Sequence, residues 1–116
     1  MKRFCFALDL KPDPELIQAY EERHQDVWPD IRDSILQSGI QSLEIYRVEN
    51  RLFMIMDTRD DFSLEAKSLM DAENPVVQTW EEQMWKYQQA LPSAKIGEKW
   101  IQMKEIFNLQ APKSQS

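Results

Sequence analysis

Early in the chain the hydrophobic period changes, and that change constrains the fold more than any other feature. In "RFCFALDL" residues Phe4, Phe6, Leu8 and Leu10 alternate with Arg3, Cys5, Ala7 and Asp9. A period of two makes a strand with one apolar face. "KPDPEL" follows, with Asp13 placed to cap a helix and Pro14 at its first position. Beyond it Ile17, Tyr20, His24, Val27, Ile31 and Ile35 recur at helical spacing and share one face. The helix is expected to run to about Ser38, with Gly39 as its stop. Pro29 cannot bond back to Gln25, so a kink or break is expected there.

The rest of the chain extends this start into a β-α-β-β-α-β order. A hairpin is read from a strand over Ile40–Val48, a tight turn near Glu49–Arg51, and a strand over Leu52–Thr58. Leu43 and Ile45 face one way, Glu44 and Tyr46 the other, and Glu44 either meets solvent or lines a pocket. A short helical stretch is expected from Phe62 to about Met70. Asn74 and Pro75 then start a longer helix that ends before Pro92. Its inward stripe is Val76 or Val77, Trp80, Met84, Tyr87 and Leu91. Ile101, Met103 and Phe107 lie on one side of a last strand. The fold class is therefore α+β, ferredoxin-like, with helices on one face of an antiparallel sheet. The opposite face, with Arg3, Cys5, Ala7 and Asp9, would be bare in a monomer, which suits a homodimer whose sheets meet.

Residues 1–110 read as one domain, and the polar tail 111–116 is expected to be disordered. The net charge of -6, with no basic run longer than two residues, argues against nucleic acid and against an anionic membrane surface. Cys5 is the only cysteine, so the chain can form neither an internal disulfide nor a thiolate cluster. Two glycines make no phosphate-cradling loop, and no carboxylates are grouped with metal-ligand spacing. No metal and no cofactor are expected. The N-terminus reads as a strand and not a signal peptide, and no stretch approaches a membrane span, so a cytoplasmic protein is expected.

Chemistry points to one place. Tyr20, His24 and Trp28 stand at i, i+4 and i+8, one line along the first helix. His24 is the only histidine. An unperturbed pKa of about 6.5 suits it to act as general acid or base. Tyr20 can donate a hydrogen bond, and Trp28 offers a flat apolar surface. Trp80 and Glu81 on the second long helix are candidates to approach the same region. An indole beside hydrogen-bonding groups is a common way to hold a sugar ring. Periodicity alone leaves a competing reading open: a core histidine satisfied by backbone, with Trp28 and Trp80 as packing residues.

The same residues carry a family resemblance. "Y-x-x-R-H-x-x-V-W-P-x-I" from Tyr20 to Ile31, "GI" at Gly39–Ile40, "IY" at Ile45–Tyr46, "LF" at Leu52–Phe53 and "W-x-x-x-M" at Trp80–Met84 resemble the L-rhamnose mutarotase family. The resemblance spans about residues 2–109. It implies a dimeric α+β barrel of ferredoxin-like subunits that interconverts the α and β anomers of deoxyhexoses such as L-rhamnose and L-fucose. It makes His24 the catalytic acid or base, Tyr20 a substrate contact, and Trp80 the first of two adjacent tryptophans lining the sugar site. Glu81 stands where the second would be, and Leu43 at an aromatic family position. Both departures touch the sugar site and tilt the expected substrate towards L-fucose.

Mutarotation needs only two proton relays, one at the ring oxygen and one at the anomeric hydroxyl. His24 is expected to be one relay, with Tyr20, Glu81 or a water as the other. Two other classes compete. A haem-binding or small oxygenase-type dimeric α+β barrel would use His24 as an axial ligand. A non-catalytic sugar-binding module would hold the monosaccharide without changing its exchange rate.

Overall fold

The computed structural model describes residues 1–110; the tail expected from residue 111 lies outside them. The elements are β1 (Lys2–Leu10), α1 (Pro14–Gln25), α2 (Pro29–Gln37), β2 (Ile40–Val48) and β3 (Arg51–Thr58). They continue with α3 (Leu64–Glu73), α4 (Pro75–Met84), β4 (Gln88–Gln89) and β5 (Ile101–Gln102). The sheet is antiparallel in the order β2-β3-β1-β4, and β5 also pairs with β1. This is the ferredoxin-like arrangement expected from the hydrophobic pattern.

Local chemistry explains the boundaries. Asp13 Oδ1 accepts from the backbone N–H of Glu15 at 2.9 Å and of Leu16 at 3.3 Å, capping α1. Asn74 Oδ1 does the same for Val76 and Val77 at 3.0 and 3.3 Å, so α3 and α4 meet at this residue. At Pro29 the expected kink is a full break. Trp28 adopts φ -54°, ψ 136°, the extended geometry that a following proline imposes, and Pro29 opens α2. Gly39 (φ 103°) then takes the positive-φ position after α2.

Three expectations are corrected. The helix opened by Asn74 ends at Met84, well before Pro92. The edge of β1 offers unpaired backbone groups that would stay unsatisfied behind a continued helix. Tyr87 O accepts from Lys11 N at 2.8 Å, and Gln88–Gln89 pair with Leu10 and Asp9. Tyr87 stays in the core by way of this turn instead of a helical stripe. The last strand is also shorter than the alternation of Ile101, Met103 and Phe107 suggests. Only Ile101–Gln102 pair, plus a bond from Met103 N to Cys5 O, and Phe107 is exposed. The α3 helix begins at Leu64, not Phe62; Phe62 packs instead into a cluster with Ile40 and Met56.

The sheet's two faces differ completely. On the helix side Leu8, Leu10 and Leu52 are sealed from solvent, and Leu10 and Leu52 join Tyr20, Ile31, Val77, Trp80, Met84 and Tyr87 in the main core. Each such side chain contributes about 1.5–3 kcal/mol of burial free energy. On the other side β1 and β3 place Ala7 opposite Phe53 and Cys5 opposite Ile55. None of these belongs to either buried cluster. Arg51 pairs with Asp9 at 2.7 and 3.1 Å at one end of this face, and Arg3 with Asp57 at 2.8 and 3.2 Å at the other. Glu44 lies here too, accepting from Tyr46 Oη at 2.5 Å, which settles its orientation away from the helices.

Candidate active site

Between the helix side of the sheet and α1, α2, α3 and α4 lies a cavity of about 640 Å³. Phe6, Leu43, Ile45, Met54 and Met56 form its apolar sheet wall. Tyr20, His24, Trp80, Glu81, Gln88 and Lys99 supply a more polar wall opposite. A cavity with one apolar side and a few convergent polar groups is the usual form of a small-molecule site.

The line predicted along the first helix is present. The rings of Tyr20 and His24 lie 4.2 Å apart at 36°, and His24 meets Trp80 edge-on at 5.7 Å. Trp28, freed by the break before Pro29, turns onto Trp80 at 5.0 Å and 75°. It stands behind Trp80 and is not among the residues lining the cavity. The other four sequence candidates, Tyr20, His24, Trp80 and Glu81, share that lining.

The protonation state of His24 follows from its bonds. Its Nδ1 lies 2.9 Å from the carbonyl oxygen of Tyr20. A carbonyl only accepts, so Nδ1 carries the proton and donates it. The neutral ring then keeps its lone pair on Nε2. Burial lowers the histidine pKa below its ordinary 6.5, and the bond to Tyr20 opposes this in part. His24 is thus a neutral base at pH 7. Tyr20 goes the other way: burial, aided by the nearby charge of Glu81, pushes its hydroxyl up to about 12, against a hydrogen bond from Gln88. It keeps its proton and stays a donor. Adjacent groups pushed apart in this manner form a ready acid–base pair.

The sequence model of the L-rhamnose mutarotase family matches residues 3–109. The chain belongs to the L-rhamnose mutarotase family. An L-fucose mutarotase from Xanthomonas campestris pv. campestris is 44% identical over 111 residues, covering 94% of this chain and 89% of that protein. An L-rhamnose mutarotase from Phocaeicola vulgatus is 35% identical over 75% of this chain and 76% of its own length. The crystal structure of an L-rhamnose mutarotase from Formosa agariphila superposes with a TM-score of 0.71 at 24% identity, over 95% of this chain and all of that one. The last comparison supports the fold alone.

Two polar residues of this mutarotase-family cavity escaped sequence reading. Gln88 is buried; its Nε2 donates to the Tyr20 hydroxyl at 3.5 Å, while its Oε1 has no partner. Lys99 reaches the cavity from the irregular segment after β4 and forms an ion pair with Glu81. Gln88 was assigned to a continuing helix, and Lys99 is separated from Glu81 by a segment without periodicity. Neither carried a local signal. Among the described residues no group of three or more His, Cys, Asp or Glu is placed to hold a metal ion.

Proposed function

We propose that this protein is a 6-deoxyhexose mutarotase that favours L-fucose over L-rhamnose. The observation that carries the reading is the state of His24: Nδ1 held by the Tyr20 carbonyl, Nε2 free, and the ring packed between Tyr20 and Trp80 on the cavity wall. In this reading Nε2 takes the proton of the anomeric hydroxyl while a donor protonates the ring oxygen. The C1–O5 bond breaks and a free aldehyde forms. Rotation about C1–C2 and reclosure, with both proton transfers reversed, give the other anomer. Tyr20 keeps its proton at neutral pH and so can hydrogen-bond the ring oxygen as the donor, directly or through a water. Trp80 presents its indole to the C–H face of the sugar, Trp28 fixes the angle of Trp80, and Glu81 accepts from substrate hydroxyls. The apolar wall at Leu43, Met54 and Met56 suits the methyl group of a 6-deoxy sugar. The 44% identity to an L-fucose mutarotase supports the preference for L-fucose.

The working form in this proposal is a cytoplasmic homodimer of one domain each, residues 1–110. The open sheet face favours the dimer, with apolar Cys5, Ala7, Phe53 and Ile55 between two ion pairs.

Saturation-transfer NMR of anomer exchange tests the proposal. Wild-type protein is expected to accelerate exchange of L-fucose more than that of L-rhamnose. His24→Ala should remove about 10²–10⁴-fold of the rate, the range of one positioned proton transfer. A folded His24→Ala protein with the wild-type rate would refute the assignment.

A further inference from the structure

Lys99 has a side chain only 12% exposed, although a lysine ordinarily keeps its ammonium in water. Its Nζ donates to the Glu81 carboxylate and, at 3.2 Å, to the Glu81 backbone carbonyl. The ammonium also stands 4.8 Å from the centre of the Trp85 ring. Two of the three N–H donors of the ammonium are therefore taken by Glu81 itself. Glu81 is less committed. Its side chain is 44% exposed, and a carboxylate has about four acceptor sites on its two oxygens, of which Lys99 takes one. The residue follows Trp80 directly and lines the same cavity.

We propose that Lys99 is a positioning residue: it holds the Glu81 side chain aimed so that the carboxylate accepts hydrogen bonds from substrate hydroxyls, which makes the Glu81–Lys99 pair the sugar-discriminating element of the cavity. The inference rests on the mutarotase reading above. L-Fucose and L-rhamnose have opposite configurations at C2 and C4, so a fixed acceptor meets a hydroxyl in one and misses it in the other. A carboxylate aimed at one hydroxyl configuration gains a charge-assisted hydrogen bond from one sugar and none from the other. Without Lys99, the carboxylate is free to turn into solvent. Glu81 lines the same cavity as Tyr20 and His24.

The test measures kcat and KM of anomer exchange for L-fucose and L-rhamnose in four variants. These are Lys99→Met, Lys99→Arg, Glu81→Gln and the double Glu81→Gln/Lys99→Met. Lys99→Met is expected to raise KM for the better sugar about tenfold with kcat within about threefold, narrowing the difference between sugars. Lys99→Arg should restore most of the wild-type KM. The double variant should be no worse than Glu81→Gln, because Lys99 acts only through Glu81. A wild-type KM in Lys99→Met, whatever its melting temperature, overturns the proposal, and so does additivity in the double variant. If Lys99→Met does not fold, Lys99→Gln takes its place under the same criteria. If wild-type protein accelerates neither sugar, the mutarotase reading fails by itself. Calorimetric titration with L-fucose then judges the pair: weaker binding in Lys99→Met supports it and equal binding overturns it.

Discussion

The two faces of the sheet come from the same strands and carry opposite designs. Towards the helices, β1 and β3 present Leu8, Leu10 and Leu52 at full burial, and the polar groups of the cavity come from the helices, from β4 and from the segment after it. Towards the outside, the same strands present Ala7, Cys5, Phe53 and Ile55, flanked by guanidinium–carboxylate pairs. The first face is a floor under a reaction chamber. The second has the composition of an interface, apolar at its centre and charged at its rim. One face therefore answers to measurements of activity and the other to measurements of mass.

The strongest way to break the inner face is Trp80→Ala. Trp80 is 7% exposed and touches Trp28 and His24, so its loss removes packing and opens a cavity at once. Substitutions of this kind cost about 3–5 kcal/mol. Thermal unfolding should show that loss, with exchange activity lost in the protein that remains folded. A Trp80→Ala variant as stable as wild type would mean that Trp80 packs less tightly than its contacts imply.

Phe53→Asp tests the outer face. A carboxylate there opposes Ala7 on β1 and Tyr46 on β2, at the centre of the apolar patch. Sedimentation equilibrium should show a wild-type dimer and a Phe53→Asp monomer. The exchange rate per folded chain should fall by less than about tenfold, because Tyr20, His24, Trp80 and Glu81 all line the other side. A dimeric variant would remove the outer face from the interface.

The sequence showed some of this contrast and hid the rest. Alternation in β1 separated the two faces, because a period of two assigns every residue to one side. Caps at Asp13 and Asn74, and the break at Pro29, are local backbone chemistry and were readable as such. The position of Tyr20, His24 and Trp80 at one wall followed from helical spacing plus the family pattern. Gln88 and Lys99 were not readable. Each reaches the site through long-range pairing to the β1 edge or to Glu81, and no local period encodes that. The end of α4 at Met84 failed for the same reason: unpaired groups on β1, a tertiary feature, override a helical stripe that runs on to Leu91. Trp28 lay on the predicted line, yet the break before Pro29 turns it behind Trp80.

The smallest expected effect sharpens the inner face through acid. In the folded protein the His24 pKa is below 6.5 because burial penalises the imidazolium. The unfolded chain therefore takes up a proton at higher pH than the folded one does. Above about 6.5 both states are neutral and the histidine contributes no pH dependence. As pH falls from there towards the folded value, the unfolded state binds more protons and the fold loses stability. The slope cannot exceed that of one proton, about 1.4 kcal/mol per pH unit. Carboxylates add their own losses at lower pH, so the comparison is between wild type and His24→Asn in urea melts from pH 7.5 to 5. The difference in stability between the two proteins should narrow with acidification, because only the wild type protonates an imidazole on unfolding. The exchange rate of the wild type should fall over a lower range than 6.5, as Nε2 takes up its proton in the folded site. A difference that stays constant down to pH 5 would mean that His24 is as free to charge in the fold as outside it, and its place as the neutral base of the inner face would be lost.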